Sequence, residues 1–187
     1  MSVIKKKNWD DKIVLSKIDG MLSKFDDGEL FVEEVFSENI LFDENKVKNA
    51  SYDQDRGFGL RTVKGDAINF FHSSELNERI LNQGLKAINN SIKYGCNGKN
   101  NMKSNENLYE SNNPISMFKL DRKINLLNKI NQYARNFSSA VKQVSISLNG
   151  SHQNIEISKK NGAFFYDSRP LVRLNVNISV EKKGKIE

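Results

Sequence analysis

The chain has 187 residues, a formal charge of +6, 37% hydrophobic and 28% charged residues, and one cysteine. That is room for one good-sized soluble domain or two small ones. No apolar run is long enough to span a bilayer, and the N-terminal MSVIKKKNWDD has no apolar core after its lysines, so it does not read as a secretory signal. Cys96 by itself excludes an internal disulfide and a cysteine-based zinc cluster, and a reducing cytoplasm is the natural setting.

In chain order, Asp10 to Phe25 reads as an amphipathic helix. Val14, Ile18, Met21, Leu22 and Phe25 recur on one face at helical spacing. Leu30–Phe36 and Asn39–Phe42 read as two short strands, Lys46–Tyr52 as a third, Gly57–Val63 as a fourth and Ala67–Phe71 as a fifth. Turns are expected at Asp43-Glu44-Asn45 and Lys64-Gly65-Asp66. Connections this short favour an antiparallel meander. Ser74 is placed to cap a second helix running to about Ile92, whose apolar stripe (Leu76, Ile80, Leu81, Leu85, Ile88) needs a sheet face to cover.

The stretch from Tyr94 to Pro114 is rich in Asn, Ser, Gly and Lys and carries little to bury, so a loop or linker and a domain boundary are expected there. Asp121 is placed to cap a third helix to about Phe137. Strands follow around Val144–Leu148, Ile155–Ile157 and Val172–Val180, with turns at Asn149-Gly150 and Asn161-Gly162 and a last turn at Lys183-Gly184. The expected fold is α+β: antiparallel meander sheets with amphipathic helices packed on one face, in two small units. The organisation is residues 1–93 as an N-terminal domain, 94–114 as linker and 115–187 as the start of a second domain.

Charge is uneven. From Pro114 onward there are roughly 13 Lys and Arg against 5 Asp and Glu. Such a half can meet nucleic acid, an acidic peptide or an acidic neighbour. The nucleic-acid reading is weak, because the basic residues form no dense run with interleaved aromatics.

The chain offers no catalytic set and no metal set. Hydrolytic zinc needs at least three ligands, commonly two His one helical turn apart with a Glu between them. Here His72 and His152 stand some 80 residues apart in sequence, the first at a strand end and the second in an expected hairpin turn. No Gly-x-Ser-x-Gly elbow is present. Gly57-Phe58-Gly59 lacks the third glycine of a dinucleotide fingerprint and reads as backbone crowding or a bulge. Glu33 and Glu34 are adjacent and point to opposite faces of a strand. The most distinctive run is Asp167-Ser168-Arg169-Pro170-Leu171-Val172-Arg173. Arg169, Arg173, Asn175 and Asn177 line one polar face of an otherwise buried strand, and these donors suit the carboxylates and carbonyls of a peptide or partner.

The stretch Leu41 to Tyr52, LFDENKVKNASY, followed by Asp55 to Arg61, DRGFGLR, resembles the N-terminal domain of the TldD/PmbA metallopeptidases, the TldD branch more than the PmbA (TldE) branch. Val141–Gly150 and Asp167–Val180 are similar to the TldD middle region, in the same order. The resemblance runs from about Leu30 to the end, with the Tyr94–Pro114 loop diverged. His72 after Phe70-Phe71 departs from it. The resemblance implies a cytoplasmic bacterial zinc peptidase that pairs with a homologous TldE/PmbA-like subunit and takes extended peptides. It also implies a zinc held by a His-Glu-x-x-x-His helix and a further Cys, none of which has a counterpart here. On that reading the chain is the N-terminal, non-catalytic portion of a TldD-like protein and binds no zinc itself. The rival readings are a stand-alone partner-binding module, an inactive remnant and a basic nucleic-acid-binding domain.

Overall fold

A computed structural model describes residues 11–89 and 108–186. The expected helix start at Asp10, the second helix's last turn at Ile92, Cys96 and most of the 94–114 stretch lie outside the described residues. Helix α1 is Asp11–Leu22, and the strands β1 (Asp27–Asp43), β2 (Lys46–Lys64) and β3 (Ala67–Ser73) follow it. Next come α2 (Glu78–Asn89), α3 (Leu120–Phe137), β4 (Val141–Lys159), a single 3-10 turn at Lys160–Gly162, β5 (Phe164–Lys182) and the two-residue β6 (Lys185–Ile186). The sheet order is β3-β2-β1-β4-β5-β6. Hairpin β2–β3 is antiparallel in the register Leu60↔Phe71 and Thr62↔Asn69. The fold is α+β on an antiparallel sheet, as the turn spacing implies.

Five expected short strands before α2 are three. Ser37-Glu38-Asn39 reads as a break, yet β1 runs straight through it because its polar side chains find partners. Lys123 Nζ donates to Glu38 at 2.5 Å, and the Asn39 amide donates to Asn149. The Asn149-Gly150 turn is likewise not a turn. Both residues lie inside β4, where a Cβ on Gly150 would stand 3.0 Å from Ile115 Cγ1, so the glycine makes room for a buried side chain. Turns do fall at Glu44-Asn45 (φ 50° and 61°), at Gly65 (φ 57°) and at Gly162 (φ 73°). The helix starts also move. Asn77 Oδ1, not Ser74, accepts from the Ile80 N–H at 2.9 Å, and α3 begins after Lys119 without a side-chain cap, leaving Asp121 in its first turn.

The chain divides into two packing units. The first takes Met1–Val35, Asp55–Tyr109 and Gln153–Ser168; the second takes Phe36–Gln54, Glu110–His152 and Arg169–Glu187. Strands β1, β2, β4 and β5 each therefore give one part to each unit. In the first unit, Val14, Ile18, Leu22 and Phe25 pack with Leu30 and Val32 of β1, Phe58 and Leu60 of β2, and Leu81 and Ile88 of α2. In the second, Leu127 and Ala134 of α3 cover Ile40 and Phe42 of β1 and Val144 and Ile146 of β4. A fully buried side chain of this kind contributes about 1.5–3 kcal/mol, so a few such contacts hold each helix on its strands.

Candidate functional site

Strand β5 carries the residues singled out in the sequence. Side chains alternate along it, so Arg169, Arg173, Asn175 and Asn177 share one face and Val172, Leu174, Val176, Ile178 and Val180 share the other. On the polar face Arg173 Nε donates to Asn175 Oδ1 at 3.1 Å, and the Asn175 amide donates to Ser147 Oγ of β4 at 3.2 Å. Arg169, Arg173 and Asn177 are exposed. The expectation that the strand is otherwise buried is overturned: Val172 is 56% exposed and Ile178 45%. Helix α3 covers β1 and β4 but stops short of this strand. Pro170 is tolerated because β6 pairs with β5 only at Glu181 and Lys182, leaving Pro170 on the open edge.

The sequence reading missed a row of buried polar side chains in the first unit. Asn154, Glu156 and Ser158 of β4 are all buried, together with Ser168 at the end of β5's first segment. Asn154 Oδ1 accepts from the Ser168 hydroxyl at 3.0 Å and from the Tyr166 hydroxyl at 3.2 Å. The signal available in the sequence is the alternation His152, Asn154, Glu156, Ser158 against Ile155 and Ile157; the polar set is buried, Ile155 is buried with it and Ile157 is half-buried.

A second surface lies on the first unit, a groove of about 390 Å3 between Phe31 and Val35 of β1 and His72 of β3, floored by Gly57 and Gly59. A Cβ on Gly57 would meet Ser73 O at 2.9 Å, so crowding of β2 against β3 accounts for that glycine; Gly59 has no such neighbour. Glu33 on this face accepts from the Gln153 amide.

Neither histidine is built into a metal centre. His72 is exposed, and His152 is buried in mid-β4 with its ring stacked 6.3 Å from Phe36, not in a hairpin turn. Among the described residues no group of three or more His, Cys, Asp and Glu is arranged to hold a metal ion, so these residues do not fit a catalytic zinc. Among the described residues, two exposed surface pairs outside these faces shift a titrating group. Lys17 holds Glu78 low, and Glu44 raises Lys48. No helix among the described residues is long and apolar enough to cross a membrane.

Comparison with known proteins places these features. The family model described as PmbA/TldA metallopeptidase domain 1 matches residues 28–93, and that of the PmbA/TldA metallopeptidase central domain matches residues 113–187. A metalloprotease TldD homolog of Buchnera aphidicola from Acyrthosiphon pisum is 28% identical over 167 residues, 88% of this chain and 35% of its own length. One from Haemophilus influenzae is 29% identical over 87% of this chain and 35% of its own length. The chain thus spans about a third of the curated relatives it matches. In fold it is similar to a protein of Thermotoga maritima described as a putative modulator of a DNA gyrase (TM-score 0.69, 10% identity, 92% of this chain and 40% of that one). It is also similar to TldE of Thermococcus kodakarensis (TM-score 0.61, 13% identity, 92% and 40%). With both family models matched in order along most of its length, the chain belongs to the PmbA/TldD metallopeptidase family, of which it is an N-terminal portion.

Proposed function

We propose that this chain is the non-catalytic N-terminal portion of a TldD-like zinc metallopeptidase. It shapes the chamber for an extended peptide and pairs with a homologous TldE/PmbA-like subunit, in a cytoplasmic enzyme. The observation that carries the reading is the match to domain 1 and the central domain, over about 35% of the relatives' length, in a chain whose described residues offer no metal ligand set. Zinc and the hydrolytic step belong to the remainder of the family protein. The family matches leave 94–112 between them, which supports a sequence boundary in the 94–114 stretch.

Within this scheme Arg169, Arg173, Asn175 and Asn177 contact peptide or partner. A guanidinium and amides spaced two residues apart on an extended strand match the spacing of carbonyls on an extended ligand. The open edge of β5 adds backbone donors and acceptors, which bind main chain without reading sequence. The test uses the purified 187-residue chain. It is expected to release no fragments from an unfolded peptide with or without added zinc, and to co-purify with a TldE-like subunit. Zinc-dependent turnover abolished by a chelator would overturn the non-catalytic assignment, and a chain that retains no such subunit would overturn the pairing.

A further inference from the structure

Inside the first unit, two polar side chains meet across the β2–β3 hairpin with nothing bonded to either contacting atom. Thr62 and Asn69 are register partners in that hairpin. Residues opposite each other on antiparallel strands point to the same face, with Cβ atoms about 4.5–5.5 Å apart. Thr62 is fully buried, at 0% exposure. Its Oγ1 and the Asn69 Nδ2 are both enclosed, and among the described residues neither has a hydrogen-bond partner, so they do not bond each other. The face is the one the helices cover. Leu60 and Phe71, the register pair two residues along on the same side, pack in the core, and Phe71 lies against Gly84 of α2. The Thr62 methyl stands 3.4 Å from where a Cβ on Gly28 would be, so the methyl is spent on β1 and the hydroxyl is left over.

Folding strips solvent from both groups, and a buried donor or acceptor left unbonded is costly enough that native proteins keep few of them. The enclosure limits what can serve them. Both atoms are already closed off, so no strand, helix or side chain from elsewhere in the family protein has a route to them. Their chemistry limits it further. The Asn69 Nδ2 only donates, which excludes a bare cation, whereas the Thr62 hydroxyl both donates and accepts. An anion would accept from both, but it would need a countercharge that Leu60 and Phe71 do not supply. A water accepts from the amide with its oxygen and returns a proton to the hydroxyl. Two polar groups facing each other in an apolar surround are the usual setting of an internal water.

We propose that one buried water molecule, held by Thr62 Oγ1 and Asn69 Nδ2, clips β3 to β2 beneath α2. Strand β3 lies at the edge of the sheet with β2 as its one neighbour, so the bridge adds a side-chain link to its ladder. The test is urea unfolding of the 187-residue chain and of Thr62→Val, which keeps the shape and removes the hydroxyl. Losing a bridged hydroxyl costs stability, whereas losing an orphaned one gains it, so the sign of the shift decides. Thr62→Val is expected to lower the midpoint, and Asn69→Leu to lower it too. The double variant should fall no further than the worse single one, because each removes the same bridge. Where a variant fails to fold, a crystal structure of the parent chain decides alone: a density peak is expected about 2.7–3.2 Å from both atoms. A raised or unchanged midpoint for Thr62→Val, additive losses in the double variant, or an Asn69 amide bonded directly to Thr62 in the density would each overturn the proposal.

Discussion

At the scale of single residues the glycines separate cleanly by what surrounds them. Gly20 lies within α1, and a Cβ there would meet nothing within 4 Å, so its only effect is the backbone freedom it gives the unfolded chain. Gly20→Ala is expected to raise stability by about 0.5–1 kcal/mol, read as a higher denaturant midpoint. Gly84 on α2 is the opposite case. Its Cβ would stand 2.5 Å from Phe71 Cδ1, inside the contact that seats the helix on β3, and Gly84→Ala should lower the midpoint instead. Equal shifts from the two substitutions would contradict the packing of α2 on Phe71. Lys123 shows how far a residue's chemistry was hidden from the sequence. It looks like a solvated lysine in a helix, yet its ammonium donates to Glu38 at 2.5 Å and to the Ile115 carbonyl at 2.7 Å in a buried position. Glu38 is 85 residues away and Ile115 lies before the helix begins, so helical periodicity had no means of finding either partner.

At the scale of elements, α1 and α2 are tied across the surface of the first unit by Lys17 and Glu78. Lys17 lowers the Glu78 carboxyl below its ordinary value of 4.5, first by hydrogen bonding and then by charge. A carboxyl lowered in the folded state lends stability that is fully present above its unfolded pKa and is lost as pH falls through the folded one. Thermal melting followed from pH 6 to pH 3 should therefore fall by an extra increment in the parent chain that Glu78→Gln lacks. Parallel curves for the two would show that the tie contributes nothing. The elements themselves were legible wherever burial follows one period: Val14-Ile18-Leu22 gave α1, and Leu30-Val32 gave the first half of β1. Legibility failed where loop composition lies inside a strand. Glu38, Asn39 and Asn149 find partners there, while Asp53-Gln54-Asp55 stays exposed within β2, yet all lie within continuous strands. The polar face of β5 was readable from alternation alone. The exposure of its apolar face was not, because alternation says which residues share a side and not whether anything covers it.

At the scale of the whole molecule, the sequence families and the packing divide the chain differently. The family models part it once, between residues 93 and 113. The packing units part it several times, because the first one reclaims Gln153–Ser168 and the second takes Phe36–Gln54. A polypeptide of residues 1–93 would lack Ile155 and Glu156, both buried in the first unit, and the Lys160 ammonium that donates to the Phe25 carbonyl at 2.6 Å. It is expected to remain without a cooperative melting transition until residues 108–187 are added as a separate piece, when circular dichroism should regain the strand signal. Autonomous cooperative folding of residues 1–93 would contradict this. Four strands that each serve two masters also constrain how such a gene can change. A recombination joint at the sequence boundary would hand each half of the protein an orphaned set of ladders, so the two halves must be inherited together and can diverge only in concert.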